Sequence, residues 1–177
     1  MISKRPSGAI TSRSVATIGA TSFGESSSRC VARGTRSGHL TSTAPTANYP
    51  VNWNAVMIDP FSEAHGWDAS AYTGFSFWIA AGVNAKAPIE TPIGVTTADT
   101  VMGGGVCSVC GDYYAIPATA RIPLTHSWTR WVIKFSELSQ YGFGVPQVPL
   151  DKSKLVSIMI WPQAQFDIWI DDVRFEP

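Results

Sequence analysis

The feature that most constrains the fold is a two-residue alternation of side chains near the end of the chain. The two alternating sets are Phe166, Ile168 and Ile170, and Asp167, Trp169 and Asp171. Successive side chains of a β-strand point to opposite faces, so this period predicts a strand with one buried face. The run 166–175 therefore predicts a chain built on β-sheet, with this strand packed against the core.

Two adjacent carboxylates, Asp171 and Asp172, interrupt the alternation just before the strand ends. Burying such a pair costs free energy unless a cation lies nearby. Two interpretations stay open at this point. The pair forms a solvated strand end, or Asp171 is a ligand of a structural calcium ion, which prefers carboxylate and carbonyl oxygens.

Short apolar segments separated by turn residues fill the rest of the chain, which has 15 glycines and 12 prolines in 177 residues. This pattern is typical of an all-β sandwich. Clear strands are expected at 75–81, 128–135 and 155–161. Helix is expected only as a turn or two, at 135–139 or 151–155.

The length fits one domain. Residues 1–27 are interpreted as a polar leader or an irregular first strand, and residues 28–177 as the domain itself. Loops are expected at 19–28, 98–111 and 136–151, where glycine, serine and other turn residues accumulate.

The charge balance argues against two classes of partner. Charged residues make up 15% of the chain and the formal net charge is zero. A nucleic-acid surface needs a basic excess, and a membrane span needs a longer apolar run than this sequence contains. We therefore expect no nucleic-acid partner and no membrane partner.

The three cysteines leave their redox state open. Cys107 and Cys110 lie in a glycine-rich segment and Cys30 stands alone. The close pair is interpreted as a loop-clamping disulfide in a secreted protein or as two free thiols. The first residues contain no apolar stretch of the signal-peptide type, so no signal peptide is visible in this sequence.

No common catalytic motif occurs in the sequence. The zinc-hydrolase His-Glu-x-x-His, the Gly-x-Ser-x-Gly elbow and the P-loop are missing. Three histidines, His39, His65 and His126, lie far apart in the sequence. Asp167 and Asp171 share a strand face at about 13 Å, which exceeds the carboxylate separation of glycosidases. No catalytic residue is therefore assigned.

Sugar-binding chemistry fits the sequence better. A sugar site needs aromatic rings for the apolar face of the sugar and planar polar groups for its hydroxyls. The candidate ligand-binding residues combine these two types, and they are Trp53, Asn54, Asp112, Tyr114, Gln140, Tyr141, Phe143, Trp161 and Gln163. Trp53 is also interpreted as a core residue, because its spacing suits a buried strand face equally well.

The order of segments resembles a known family. A Trp-initiated strand runs into Phe-Ser-x-Leu at 128–138, Leu-Val-Ser-Ile follows at 155–158, and the alternating run comes last. This order resembles the galactose-binding-like jelly rolls of carbohydrate-binding modules, most nearly the family 11 type. The same architecture occurs in a domain of a mitochondrial complex I assembly factor. The segment 67–78 is similar to the central strand of the family and its entry.

The resemblance implies a jelly-roll β-sandwich of two antiparallel sheets, with the ligand on the concave sheet face. It also implies a calcium ligand at Asp171, the position that matches the C-terminal ligand of the family. Family members usually begin with an acidic strand that supplies further ligands, whereas residues 1–27 contain only Glu25 as an acid. The prediction is therefore that no cofactor is required, with a structural calcium ion as the open alternative.

Together these observations predict a non-catalytic carbohydrate-binding module. It would bind a polysaccharide or oligosaccharide, such as a β-glucan, by aromatic stacking and by amide and carboxylate hydrogen bonds. A secreted or cell-surface location and a linked catalytic domain in a parent protein are expected with this function. Two alternatives stay open: a glycan-active lyase or hydrolase on the same sandwich, and a protein-interaction domain.

Overall fold

The chain crosses between two β-sheets as it runs from strand to strand. A computed structural model describes residues 15–18, 22–24, 37–41, 55–58, 66–85, 93–101, 103–106, 111–117, 124–143, 147–160 and 166–177. The strands are β1 (Val15–Ile18), β2 (Ser22–Gly24), β3 (Gly38–Thr41), β4 (Ala55–Ile58), β5 (Gly74–Ala81), β6 (Ile93–Thr97), β7 (Tyr114–Ala115), β8 (Thr129–Lys134), β9 (Ser139–Gln140), β10 (Leu155–Ile160) and β11 (Asp167–Glu176). Two 3-10 helices cover Phe135–Glu137 and Lys152–Lys154.

All strand pairs of the described residues are antiparallel. One sheet has six strands in the order β1-β4-β10-β6-β7-β9, and the other has five in the order β2-β3-β11-β5-β8. From β3 to β6 each strand lies in the sheet opposite to the one before it, and β10 and β11 are divided in the same way. These crossings make a sandwich, and the predicted all-β jelly roll of two antiparallel sheets is confirmed.

The core lies between the two sheets and follows from the period-two pattern. Of the two alternating sets at the end of the chain, the apolar one is buried: Phe166, directly before β11, and Ile168 and Ile170 within it. These residues belong to one hydrophobic core with Phe75, Phe77 and Ile79 of β5, the strand next to β11 in the sheet. The six-stranded sheet contributes alternate residues of β6 and, across a register shift near its start, Leu155, Ile158 and Ile160 of β10. Because both sheets present such a face, each covers the apolar surface of the other.

The paired carboxylates mark a bulge in β11. The register of β11 with β5 shifts between Asp171 and Arg174, and Asp172 has a φ of 53°. Asp172 Oδ1 accepts a hydrogen bond from Arg174 Nε at 2.6 Å and another from the same guanidinium. A short acidic side chain tolerates this left-handed backbone better than most residues. The interruption in the sequence pattern is thus a local kink, closed by an arginine two residues away.

The opposite face of β11 also contains a buried carboxylate. Asp167 accepts hydrogen bonds from His39 Nε2 at 2.6 Å and from the backbone N–H of Asn84 at 2.9 Å. The ring of His39 stacks on Trp169, with centroids 3.9 Å apart and planes 5° apart. These contacts hold β3, β11 and the turn after β5 together on the outer face of the five-stranded sheet.

Several expectations about single elements are settled by the structure. The strands expected at 75–81, 128–135 and 155–161 are present as β5, β8 and β10, and both expected short helices occur as single 3-10 turns. Two expected loops are wrong in part, because 19–28 contains β2 and 136–151 contains β9. Each of these strands has only two or three residues and exists through its pairing with β3 or β7, so local propensity does not predict it.

The boundary proposed at residue 28 stays a prediction. Strands β1 and β2 precede that boundary, and each pairs with a strand that follows it. Neither 3-10 helix of the described residues has the length or the apolar character to cross a membrane.

Gly94 provides a test of the close approach between β6 and β7. A Cβ at Gly94 would lie 1.9 Å from the carbonyl oxygen of Tyr114. We expect Gly94→Ala to lower the free energy of unfolding by about 1–3 kcal/mol, because backbone would have to move. The control is Gly105→Ala, where nothing lies within 4 Å of the added carbon. Urea unfolding of both variants checks this, and equal stabilities would contradict the close packing.

Candidate functional site

Three aromatic residues at the edge of the six-stranded sheet form one cluster, called here the aromatic cluster: Tyr113, Tyr141 and Phe143. Tyr114 lies opposite Gln140 in the pairing of β7 with β9, and the N–H of Tyr141 donates to the oxygen of Tyr113 at 2.8 Å. Tyr113 and Tyr141 are therefore a cross-strand pair on one face. Tyr114 points into the core, so this face is the outer one.

The rings of the aromatic cluster form a partly exposed platform on a buried base. Tyr113 and Tyr141 stack with centroids 4.8 Å apart and planes 25° apart. Tyr141 and Phe143 also lie 4.8 Å apart, with planes inclined by 49°. Tyr141 is 50% exposed and Phe143 is 46% exposed, whereas Tyr113 is 5% exposed. Tyr113 supports the cluster from below, and the other two rings face solvent.

The middle of the outer face of the six-stranded sheet is buried. Thr96 and Ser157 are buried and share a hydrogen bond of 2.6 Å between their hydroxyls. Met159 and Ala115 are buried beside Tyr113. The face of β6 and β10 therefore offers little open surface, and the exposed aromatic surface of this face in the described residues lies at its β9 edge.

Asp112 does not lie on the surface. It is 2% exposed, and its carboxylate accepts hydrogen bonds from the N–H of Tyr113 at 2.9 Å and from Gln140 Nε2 at 2.8 Å. A third, longer bond of 3.4 Å comes from the N–H of Gly142. The predicted ligand contact of Asp112 is thereby corrected, because a carboxylate buried this far orients the backbone under the cluster instead.

Gln140 has a similar position. Its Nε2 donates to Asp112, and its Oε1 accepts from the N–H of Val148 at 2.8 Å. The side chain is half-buried, and both ends of its amide bond to the protein. Gln140 thus connects the two ends of the segment that contains Tyr141 and Phe143. The ligand hydrogen bond expected from this amide stays a prediction.

Tyr114 also has a structural role. It is 2% exposed, and its hydroxyl lies 3.2 Å from the carbonyl oxygens of both Val148 and Pro149, to which it donates. Burial raises the pKa of the Tyr114 hydroxyl, and nearby acids, Asp99 first, raise it further. The predicted stacking of a ligand on Tyr114 is corrected, since its ring belongs to the core between the sheets.

One further side chain near the cluster was not expected. Gln147 is exposed, and its Nε2 lies 3.8 Å from the position that a Cβ of Gly142 would take. Gly142 has a φ of 111° and separates Tyr141 from Phe143. An amide therefore lies close to the turn that joins the two exposed rings. The sequence signal for it was its place at the far end of the aromatic segment.

Other predicted residues fall outside the part of the chain that the structure describes. These are Trp53, Asn54, Trp161 and Gln163, together with the three cysteines. Their predicted roles stay predictions.

The predicted calcium ligand Asp171 lies on β11, half-buried and opposite Trp78 of β5. No group of three or more His, Cys, Asp or Glu side chains that could hold a metal occurs among the described residues. The neighbouring Asp172 bonds to Arg174. The described acids thus do not supply a calcium ligand set, and the metal at Asp171 stays a prediction.

Comparison with known proteins supports the fold. No protein-family model and no curated protein matches the sequence. The family 11 carbohydrate-binding module from Clostridium thermocellum, solved with a β-1,3-1,4-mixed-linked tetrasaccharide, is similar in structure, with a TM-score of 0.57 and 15% identity over 92% of this chain and 82% of the other.

Two further solved structures are similar to this chain in fold. The family 30 module of a cellulosomal cellulase of the same organism has a TM-score of 0.58 and 16% identity over 91% of this chain and 84% of that one. The CBM22-1 xylan-binding domain from Paenibacillus barcinonensis has a TM-score of 0.52 and 12% identity over 95% and 91%. The chain therefore has the jelly-roll fold of these modules.

Tyr114 gives a test of the segment that it anchors. Its raised pKa means that the hydroxyl loses its proton more readily in the unfolded chain. The contribution of Tyr114 to the free energy of unfolding should therefore be fully present below about pH 10, the pKa of a tyrosine in the unfolded chain. It should be lost as the pH rises towards the higher pKa of the folded protein. Tyr114→Phe should flatten this alkaline fall, and it should cost about 1 kcal/mol at neutral pH through the lost hydrogen bond.

Urea unfolding of both proteins from pH 7 to pH 10.5 measures the effect. An alkaline loss of stability of the same size in Tyr114→Phe would contradict the assignment, because the remaining tyrosines would then account for it.

Proposed function

We propose that the chain is a non-catalytic carbohydrate-binding module that holds a polysaccharide against the aromatic cluster. The observation that carries the proposal is the pair of half-exposed rings, Tyr141 and Phe143, on the outer sheet face of a jelly roll. Exposed apolar groups that lie side by side in one patch often mark a binding site, whereas isolated ones do not. The jelly-roll fold shared with glycan-binding modules makes sugar the favoured ligand.

The chemistry of the cluster suits a sugar. A pyranose ring has an apolar C–H face that gains free energy by covering an aromatic ring, and a rim of hydroxyls that needs hydrogen-bond partners. Tyr141 and Phe143 provide the rings. The Tyr141 hydroxyl and the exposed amide of Gln147 provide donors and acceptors at their side.

The inclination of the rings favours one kind of glycan. Planes inclined by 49° cannot both lie flat on the surface of a crystalline polysaccharide. They can each cover a successive sugar of a single chain that twists from one residue to the next. A soluble glycan chain, such as a β-glucan, is therefore the proposed ligand. Such sites are shallow, so we expect weak binding.

The absence of catalysis is part of the proposal. Asp112 and Asp167, two candidates for an acid or a base, are buried and bonded to backbone N–H groups and to Gln140 or His39. A glycosidase needs two carboxylates that face the substrate across a cleft. Carboxylates engaged in this way are not placed to act on a glycan.

The proposed function also suggests where the chain acts and what it is linked to. A module that holds a polysaccharide is useful next to an enzyme that cuts it, and the similar family 30 module comes from a cellulosomal cellulase. We therefore propose a secreted or cell-surface location and a linked catalytic domain in a parent protein.

Replacing the exposed rings tests the platform. Tyr141→Ala and Phe143→Ala should each weaken binding to a soluble β-glucan by about 3- to 10-fold, the equivalent of one aromatic contact. The matched control is Val132→Ala, which removes an exposed apolar side chain from the other sheet. Affinity electrophoresis and calorimetry across a panel of polysaccharides measure the effect. A folded protein that binds no glycan of the panel would show the proposal to be wrong.

The form of the glycan is a separate prediction. The inclined rings should retain soluble mixed-linkage or xylan chains and leave microcrystalline cellulose unbound. Depletion of the protein from solution by insoluble cellulose, compared with retardation in gels that contain soluble glycan, distinguishes the two. Binding to the crystalline surface alone would contradict the single-chain geometry.

A further inference from the structure

We propose that the hydrogen-bonded pair Asp112–Gln140 is the positioning device of the aromatic cluster and sets its affinity for glycan. The inference rests on the proposed function, since it concerns the same site. Neither side chain needs to touch the ligand. Each acts through the segment that contains the two exposed rings.

The first step of the argument is the closure of that segment. Tyr141 follows Gln140 directly, and the chain returns to Val148 seven residues later. The Gln140 amide oxygen accepts the N–H of Val148 at 2.8 Å, so one side chain joins the two ends. Tyr114 holds the carbonyl of Val148 from the core side. The segment with the rings is thus closed at its base.

The second step is the attachment of this base to the sheet. The Asp112 carboxylate binds Gln140 Nε2 on one oxygen, and on the other it binds the N–H groups of Tyr113 and Gly142. It therefore connects the backbone of Tyr113, the amide of Gln140 and the turn between the exposed rings. Charged acceptors make stronger hydrogen bonds than neutral ones, and burial strengthens them further.

The third step concerns affinity. Holding Tyr141 and Phe143 at a fixed distance and inclination before the ligand arrives reduces the ordering cost of binding. Gly142, with its φ of 111°, sets the chain direction between the rings, and its N–H is one of the groups that Asp112 binds. Releasing the carboxylate should therefore leave both rings present but no longer arranged for a sugar.

The direction of each hydrogen bond makes a decisive experiment possible. The N–H of Val148 can only donate and the Asp112 carboxylate only accepts, so the orientation of the Gln140 amide is fixed. In Asp112→Asn the side-chain NH2 of residue 112 faces the NH2 of Gln140, so two donors oppose each other. Rotating the Gln140 amide by 180° would instead place its NH2 against the N–H of Val148, which is also a donor. In Gln140→Glu two carboxylates face each other. Each single variant thus leaves one group opposed.

The double variant D112N/Q140E removes the conflict. The new amide NH2 donates to one oxygen of the new carboxylate, and the N–H of Val148 donates to the other. The total charge of the pair is unchanged. We expect each single variant to bind soluble β-glucan about tenfold more weakly, and the double variant to recover most of this loss.

Two measurements accompany the binding assay. Nuclear Overhauser contacts between the rings of Tyr113 and Tyr141, recorded without ligand, should be lost in the single variants and return in the double variant. The matched control is Asp167→Asn, which alters a buried aspartate of the other sheet that bonds to His39 and Asn84. It should lower stability and leave both the ring contacts and the glycan affinity as they are.

The outcomes separate the two proposals. Ring contacts and affinity that fall and recover together support the positioning role. The positioning role is wrong if the ring contacts are unchanged in both single variants. It is also wrong if the ring contacts are lost while the glycan affinity stays the same. If the wild-type protein binds no glycan, the proposed function fails, while the ring contacts still show whether the pair positions the cluster.

Discussion

The position of β11 between β3 and β5 is the constraint on which the rest of the sandwich depends. A strand buried on one face and bonded on both edges has no freedom of register, because a slip of one residue would turn Ile168 out and Asp167 in. Its neighbour in the chain, β10, is central in the other sheet in the same way. Two central strands joined by one connection bring the apolar faces of both sheets together, and the remaining strands add to this pair from either side.

The sequence was therefore informative where burial and alternation coincide. The long strands β5, β8, β10 and β11 could be predicted because their own side chains favour a half-buried sheet. Strand β9 could not, since Ser139 and Gln140 have no strand pattern. It forms because β7 and the Asp112 carboxylate hold it. Such an element is determined by tertiary contacts, and a local pattern does not reveal it.

The candidate site shows the same division. Residue type singled out Tyr141 and Phe143, which the structure leaves half exposed. It could not tell Tyr113 from Tyr114, although one supports the exposed rings and the other lies in the core, because adjacent residues of a strand differ only in the face that they take. Asp112 and Gln140 have groups that could bind sugar hydroxyls, yet in this structure they bond to each other and to the protein backbone. The pairing of β7 with β9 determines which of these side chains face outwards, and a single sequence does not reveal that pairing.

The shortness of β9 affects how readily copies of this chain could associate through the edge of the six-stranded sheet. The outer strand of a sheet exposes unpaired N–H and C=O groups, and long flat edges recruit strands from other chains. At this edge of the six-stranded sheet the strand ends after two residues. The backbone then leaves the sheet into a turn at Gly142. Among the described residues, the two half-exposed aromatic rings thus lie where the sheet edge is too short to serve as a template for edge-to-edge aggregation.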